Sequence, residues 1–152
     1  SNFSAPVQGT GVRPMRTKDL DAVAAWDAKI FGAPRRALLA HLYGRCPERA
    51  FLLETNGAVQ GFILARDGRL ATQIGPLSAN NDGDAIALLS TALAGNAGPV
   101  FLDAADHHAG LVQWLRDTGF TKQRRYMRML LGTRSPIDDP DRVFVIAGPE
   151  LG

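Results

Sequence analysis

Asp27 falls in the middle of an apolar helical face. On a wheel of about 100° per residue it lies among Leu20, Val23, Ala24, Ile30 and Phe31, where an ionised carboxylate needs a counter-charge or a ligand. Arg35 falls by the same arithmetic beside Leu38, Leu39 and Leu42, so the two could meet across the turn from Phe31 to Pro34. Such a pair is either a structural ion pair that fixes the turn or a charged site for an acceptor molecule. Asp103 and Glu54 are expected at strand ends, where a carboxylate either caps a turn or takes the proton of an attacking amine. The adjacent His107 and His108 diverge by about 100° on a helix and cannot share a metal ion as an i, i+4 pair does. Cys46, the single cysteine, has no second ligand near it in the chain. The pattern therefore predicts neither a zinc site nor a thiol nucleophile.

The elements that must hold these groups are read from periodicity and punctuation. A short strand over 12–15 precedes a helix that Thr17 caps and Gly32 stops. A second helix starts with Pro34 in its first turn and ends at Gly44. Strands over 50–54, 59–66 and 70–77 follow, joined at Asn56-Gly57 and Asp67-Gly68, dipeptides that supply the positive φ of tight hairpins. Gly75-Pro76 breaks the last of them, because proline donates no ladder hydrogen bond. A helix over 82–94 leads to a buried strand at 100–104, and Asp106 caps a helix that stops at Gly119-Phe120. A long strand over 120–131 alternates Lys122, Arg124, Tyr126 and Arg128 against Arg125, Met127, Met129 and Leu131. Its cationic face is either a seat for an anion or a solvated sheet face, and a strand over 143–147 returns antiparallel to it. This order predicts an α+β fold: one mixed, mainly antiparallel sheet with helices on both faces and a parallel pair formed by the fourth and fifth strands.

With 152 residues, 45% of them hydrophobic and 21% charged, the chain suits one domain, expected over 12–152. Residues 1–11, which open with Ser1-Asn2 and continue through small and polar residues, read as a linker or cloning remnant, with the chain a fragment of a longer protein. A formal charge of +2 argues against a nucleic-acid partner, and no apolar run has the length of a membrane span. One unpaired cysteine suits a reducing compartment, so a cytoplasmic location is expected.

The stretch from Val100 to Ala105, the following helix, Gly119-Phe120 and Arg125-Tyr-Met-Arg-Met129 resemble the C-terminal half of the GNAT (N-acetyltransferase) superfamily. Asp27 with Phe31-Gly-Ala-Pro-Arg35, Gln73-Ile-Gly-Pro-Leu77 and Phe144-Val-Ile-Ala-Gly148 resemble the C-terminal domain of tandem GNAT proteins. The resemblance implies that acetyl-coenzyme A enters between the splayed fourth and fifth strands, past Leu77 and Ser78. It implies that the diphosphate lies on the loop Asn80-Asn81-Asp82-Gly83-Asp84-Ala85, where small residues let N–H groups approach phosphate at a helix start. The loop departs from the family pattern: Asn80 replaces a longer Arg or Gln, and Asp82 and Asp84 bring carboxylates that equally suit plain helix capping.

Counting back from Gly119-Phe120 places Leu115 where the family usually carries a tyrosine acid, and His108 where it usually carries an asparagine. His108 is then either a proton donor to a departing thiolate or an exposed histidine at a helix start. The resemblance implies an acyltransferase that delivers acetyl to a small primary amine, with Asp103 and His108 as candidate catalytic groups and Asp27 and Arg35 as candidate acceptor-binding groups. The alternative is a catalytically inactive GNAT-like module beside an N-terminal GNAT domain in the same protein.

Overall fold

The computed structural model describes residues 11–129, 131, 132 and 135–151. The expected tail over 1–11 lies outside these but for Gly11, whose carbonyl accepts from the Glu54 N–H. A short strand β1 (Val12–Pro14) leads through a tight turn at Thr17–Asp19 into α1 (Leu20–Phe31) and α2 (Arg36–Arg45). The meander β2 (Phe51–Thr55), β3 (Ala58–Asp67) and β4 (Thr72–Ala79) follows, then α3 (Asp82–Leu93), β5 (Val100–Ala104), α4 (Ala109–Asp117) and β6 (Val143–Ile146).

β1 to β4 pair antiparallel in sequence order. β4 and β5 form the parallel pair, with Thr72, Gln73 and Ile74 opposite Val100, Phe101 and Leu102. The alternation of β3 shows how the sheet is covered. Phe62 and Leu64 face α1 and α2 with Val23, Leu39 and Leu42, while Ile63 and Ala65 face α3 and α4 with Leu88, Leu89 and Leu111. Helices thus lie on both faces of one mixed sheet.

Local signals gave several boundaries directly. Asn56 and Gly57 take φ of 51° and 76°, the paired positive values of a two-residue hairpin. Gly32 ends α1 in the left-handed region at φ 84°. At the end of α4 the Gly119 N–H bonds the Arg116 carbonyl and the Phe120 N–H that of Leu115, the two bonds of a Schellman stop.

Other expectations are corrected. α2 runs through Gly44 to Arg45, because a helical glycine costs only about 1 kcal/mol and Leu39 and Leu42 are held in the core. β3 extends to Asp67, and residues 68–71 make a four-residue connection in place of the two-residue turn. Asp106 does not cap α4; its carboxylate holds the Lys122 ammonium at 2.6 Å, and His108 takes the cap position. The largest correction concerns the expected strand over 120–131, since its described residues join no ladder and 121–129 are all exposed. β6 pairs with β4 and β5 instead of with that segment. An alternating pattern specifies two faces but does not name the neighbour, and β6 finds ladder partners on both of its edges elsewhere.

Where β1 meets the first turn, Arg13 donates to Asp19 at 2.7 and 3.0 Å and also holds Glu54. The Arg13 hydrogen bond, opposed by burial and helped by the Arg16 N–H, holds the Asp19 carboxyl at about 2 against an ordinary 3.8. A carboxyl lowered by folding stabilises the fold above its unfolded value, and that contribution is lost as pH falls from about 4 to 2. Asp19→Asn is expected to flatten stability against pH in that window, removing about 1–2 kcal/mol, with solvent around Arg13 screening the pair. Chemical denaturation at pH 5 and pH 2.5 reads this; equal pH dependence in both proteins would refute it.

Candidate functional site

β4 and β5 run together only to Ile74 and Leu102. At the next residues, Gly75-Pro76, the ladder between them ends, as expected where proline has no N–H to give. Past this point the strands part, and β6 lies between them. Val145 sits opposite Leu77 on one side and Ala104 on the other, with Val143 opposite Ser78 and Ile146 opposite Asp103. The Ala79 N–H donates to the Arg142 carbonyl at 3.1 Å, and the Ala105 N–H to that of Phe144 at 2.9 Å. A β-carbon on Gly75 would run into the Ile146 carbonyl, so only glycine lets β6 reach the apex of the fork.

Leu77 and Ser78 line this fork on β4 and are fully buried. The Ser78 hydroxyl has no hydrogen-bond partner. Beyond them the chain enters α3 through the loop from Asn80 to Ala85. Asn80 donates its amide to Gln60 at 2.7 Å. Asn81 caps α3, its Oδ1 accepting from the Asp84 N–H at 2.9 Å while its amide donates to the Asp84 carboxylate. First-turn N–H groups have no acceptor inside a helix, and the Asn81 side chain takes only that of Asp84, not those of Asp82 and Gly83. Asp82 itself turns to α4, where its Oδ1 accepts from the Leu111 N–H at 3.3 Å. It therefore caps a neighbouring helix whose own cap residue, His108, makes no capping bond. Both carboxylates of the loop are engaged in helix starts.

His108 is buried, its ring stacked on Phe144 at 3.7 Å and its Nε2 bonded to the Val143 carbonyl at 2.9 Å. The reading of an exposed helix-start histidine is thereby corrected: α4 packs this end against β6. His107 likewise bonds the Pro140 carbonyl at 2.8 Å. Asp103, the last residue but one of β5, is half-buried and accepts from Gln73 at 3.3 Å. Among the described residues no group of His, Cys, Asp and Glu is arranged to hold a metal ion.

Asp27 and Arg35 meet as a closed bidentate pair, Nε to Oδ2 at 2.8 Å and Nη2 to Oδ1 at 2.9 Å. The side chains are 0% and 8% exposed, and the guanidinium lies 3.8 Å over the Phe31 ring. Four donor–acceptor valences are thus answered within the turn. The structure gathers Leu77, Ser78, His108 and Asp103 around β6, sets the α3 loop beside them, and places the Asp27–Arg35 pair between α1 and α2. Sequence reasoning missed the occupant of the fork, Val143 to Ile146; the signal was a short apolar strand with nothing in it to name its partner.

A six-stranded mixed sheet whose one parallel pair forks beside a capped helix start defines an N-acetyltransferase architecture. The family described as the acetyltransferase (GNAT) domain matches residues 23–145, and the chain belongs to it. The chain is 28% identical over 144 residues to the holothin acyltransferase of Pseudoalteromonas sp. (strain SANK 73390), covering 93% of this chain and 49% of that protein. It therefore spans about half the length of that curated relative. Among solved structures, PH1933 from Pyrococcus horikoshii OT3 superposes with a TM-score of 0.60 at 13% identity, over 76% of this chain and 91% of that one. Ard1 from Thermoplasma volcanium gives 0.53 at 18% identity, over 90% and 97%. GphF, a GNAT-like decarboxylase solved in complex with isobutyryl-CoA, gives 0.51 at 23% identity, over 72% of each. These likenesses show the fold.

Coenzyme A combines a diphosphate with a long pantetheine arm, so the fit divides in two. The α3 start, with free amides at Asp82 and Gly83, suits the anionic end. The fork does not suit the arm in this conformation, because β6 takes the hydrogen bonds of both its walls.

Proposed function

We propose that this domain is an acyl-CoA-dependent acyltransferase, with acetyl-CoA as donor and a small primary amine as acceptor. The observation that carries the reading is the parting of β4 and β5 after Ile74 and Leu102, directly beside the capped start of α3. In this reading the loop from Asn80 to Ala85 receives the diphosphate, with the Asp82 and Gly83 N–H groups as donors. Leu77 and Ser78 line the path of the arm. Asp103 and His108 serve as base and acid only once Gln73 and the Val143 carbonyl release them. The closed geometry of Asp27 and Arg35 favours a structural role for that pair over acceptor binding. A reducing cytoplasm suits Cys46, whose thiol burial pushes up to about 11.

A second reading, a catalytically inactive GNAT module, is favoured by two specific observations. β6 fills the fork, and Leu115 stands where the family usually carries a tyrosine acid. In that reading the domain works beside a second GNAT domain of a longer protein, which the half-length match to the holothin enzyme supports.

A thermal melt with acetyl-CoA separates the two. A ligand bound only by the native state stabilises it by about 2.7 kcal/mol at a hundredfold excess over Kd, roughly 5–10 °C for a domain of this size. Gly83→Glu, which sets bulk and negative charge at the α3 start, is expected to abolish that shift, read against the variant's own unliganded melt because its β-carbon would lie 3.2 Å from the capping Asn81 Oδ1. No shift at millimolar acetyl-CoA, either in the parent or in a variant whose β6 is loosened in the fork, decides for the inactive module.

A further inference from the structure

We propose that β6 is a removable plug: an acyl-CoA gains the fork only when Val143 to Ile146 withdraw, and the withdrawn strand pairs with residues 121–129. This rests on the reading of the fork as the donor slot.

Three features carry it. First, β6 pairs with both walls, Val145 and Val143 with Leu77 and Ser78 of β4 and Ile146 and Val145 with Asp103 and Ala104 of β5, so no extended ligand can pair there while it stays. Second, its seat is imperfect. Ser78 lies opposite Val143 with a fully buried hydroxyl that has no partner, whereas a pantetheine arm carries amide groups able to answer it. Third, the chain holds a strand-like run that is not paired in any ladder. Residues 121–129 have a strand's alternation but enter no ladder, and Met127 and Met129 are 86% and 85% exposed. The segment is held by side-chain ion pairs at its two ends, Lys122 to Asp106 and Arg128 to Asp138, which leave its backbone free to pair. The length and composition of this segment therefore suit the antiparallel partner that β6 lacks outside the fork.

The population arithmetic follows from the plug. If the open form is a fraction f of the free protein, the apparent Kd is the intrinsic one divided by f. Anything that weakens the seat tightens binding by the same factor, and a permanent seat abolishes it.

The test uses the full chain in two variants that pull in opposite directions. Ser78→Cys with Val143→Cys, in a Cys46→Ser background, puts thiols on residues paired across β4 and β6 beside the register shift between Leu77 and Ser78, and formation of the disulfide is checked by mass before binding is measured. Val145→Thr keeps the side-chain shape and sets a hydroxyl in the fully buried position between Leu77 and Ala104. Acetyl-CoA binding is measured by calorimetry, with amide hydrogen exchange read over 121–129. The expected result is binding by the reduced double-cysteine protein, at least tenfold weaker binding once it is oxidised, and about five- to tenfold tighter binding by Val145→Thr than by the parent. Protection over 121–129 should rise on ligand addition. Equal binding by the oxidised and reduced forms would overturn the plug and leave the donor reading standing. Binding by Val145→Thr alone would support the plug. Absence of binding by every form would overturn the donor reading and the plug together, and a loss on oxidation without new protection over 121–129 would overturn the re-pairing.

Discussion

Asp27→Ala is expected to lower the stability of this domain by about 3–5 kcal/mol. The reason lies in what stays behind. Arg35 is 8% exposed, its guanidinium lies on the Phe31 ring, and both of its bonds to the carboxylate are removed at once. A buried cation without a partner costs far more than the pair itself contributes, so replacing both residues should recover most of the loss. Asp27→Leu with Arg35→Met is therefore expected to melt close to the parent, while Asp27→Ala melts on the order of 10 °C lower. Denaturant melts of the three proteins read this directly. A single-variant loss below about 1 kcal/mol, accompanied by lost acetyl acceptor binding, would return the pair to the role of a ligand site.

Phe144→Ala is expected to cost about 3–5 kcal/mol by cavity formation, with Phe144→Leu costing clearly less. Phe144 is 1% exposed and its ring stacks on that of His108 at an interplanar angle of 21°. Truncation removes that stack as well, which is worth about 0.5–1.5 kcal/mol beyond area. The backbone bond from Ala105 to the Phe144 carbonyl does not depend on the side chain and should persist. Equilibrium unfolding measures the cost, and the imidazole resonances of His108 report on the lost stack. A cost below about 1 kcal/mol would mean that β6 spends little time in the fork, since an aromatic residue seated as Phe144 is seated cannot be truncated at so small a price.

The sequence by itself determined several features that are governed by neighbours in the chain. The Asn56-Gly57 hairpin, the Gly32 stop and the left-handed end at Gly119-Phe120 each follow from one or two residues and their φ preferences. The fork was legible for the same reason, since Pro76 cannot donate to a ladder wherever it is placed. The Asp27–Arg35 pair was legible because two charges on apolar helical faces eight residues apart have few other ways to be satisfied.

Partner choice across the chain was decided by the tertiary structure. Asp82 reads as a residue of its own helix start, and only the approach of α4 makes it the cap of a second helix at Leu111. His108 reads as a surface residue until α4 lays it on Phe144. Residues 121–129 alternate and Val143 to Ile146 form a continuous apolar run, and both suit strands, yet neither pattern fixes which strand lies alongside. The four residues of β6 gain ladder bonds from two strands in the fork, where pairing with 121–129 alone would supply those of one. That difference depends on the separation of β4 and β5 in space, a quantity no local run of residues encodes.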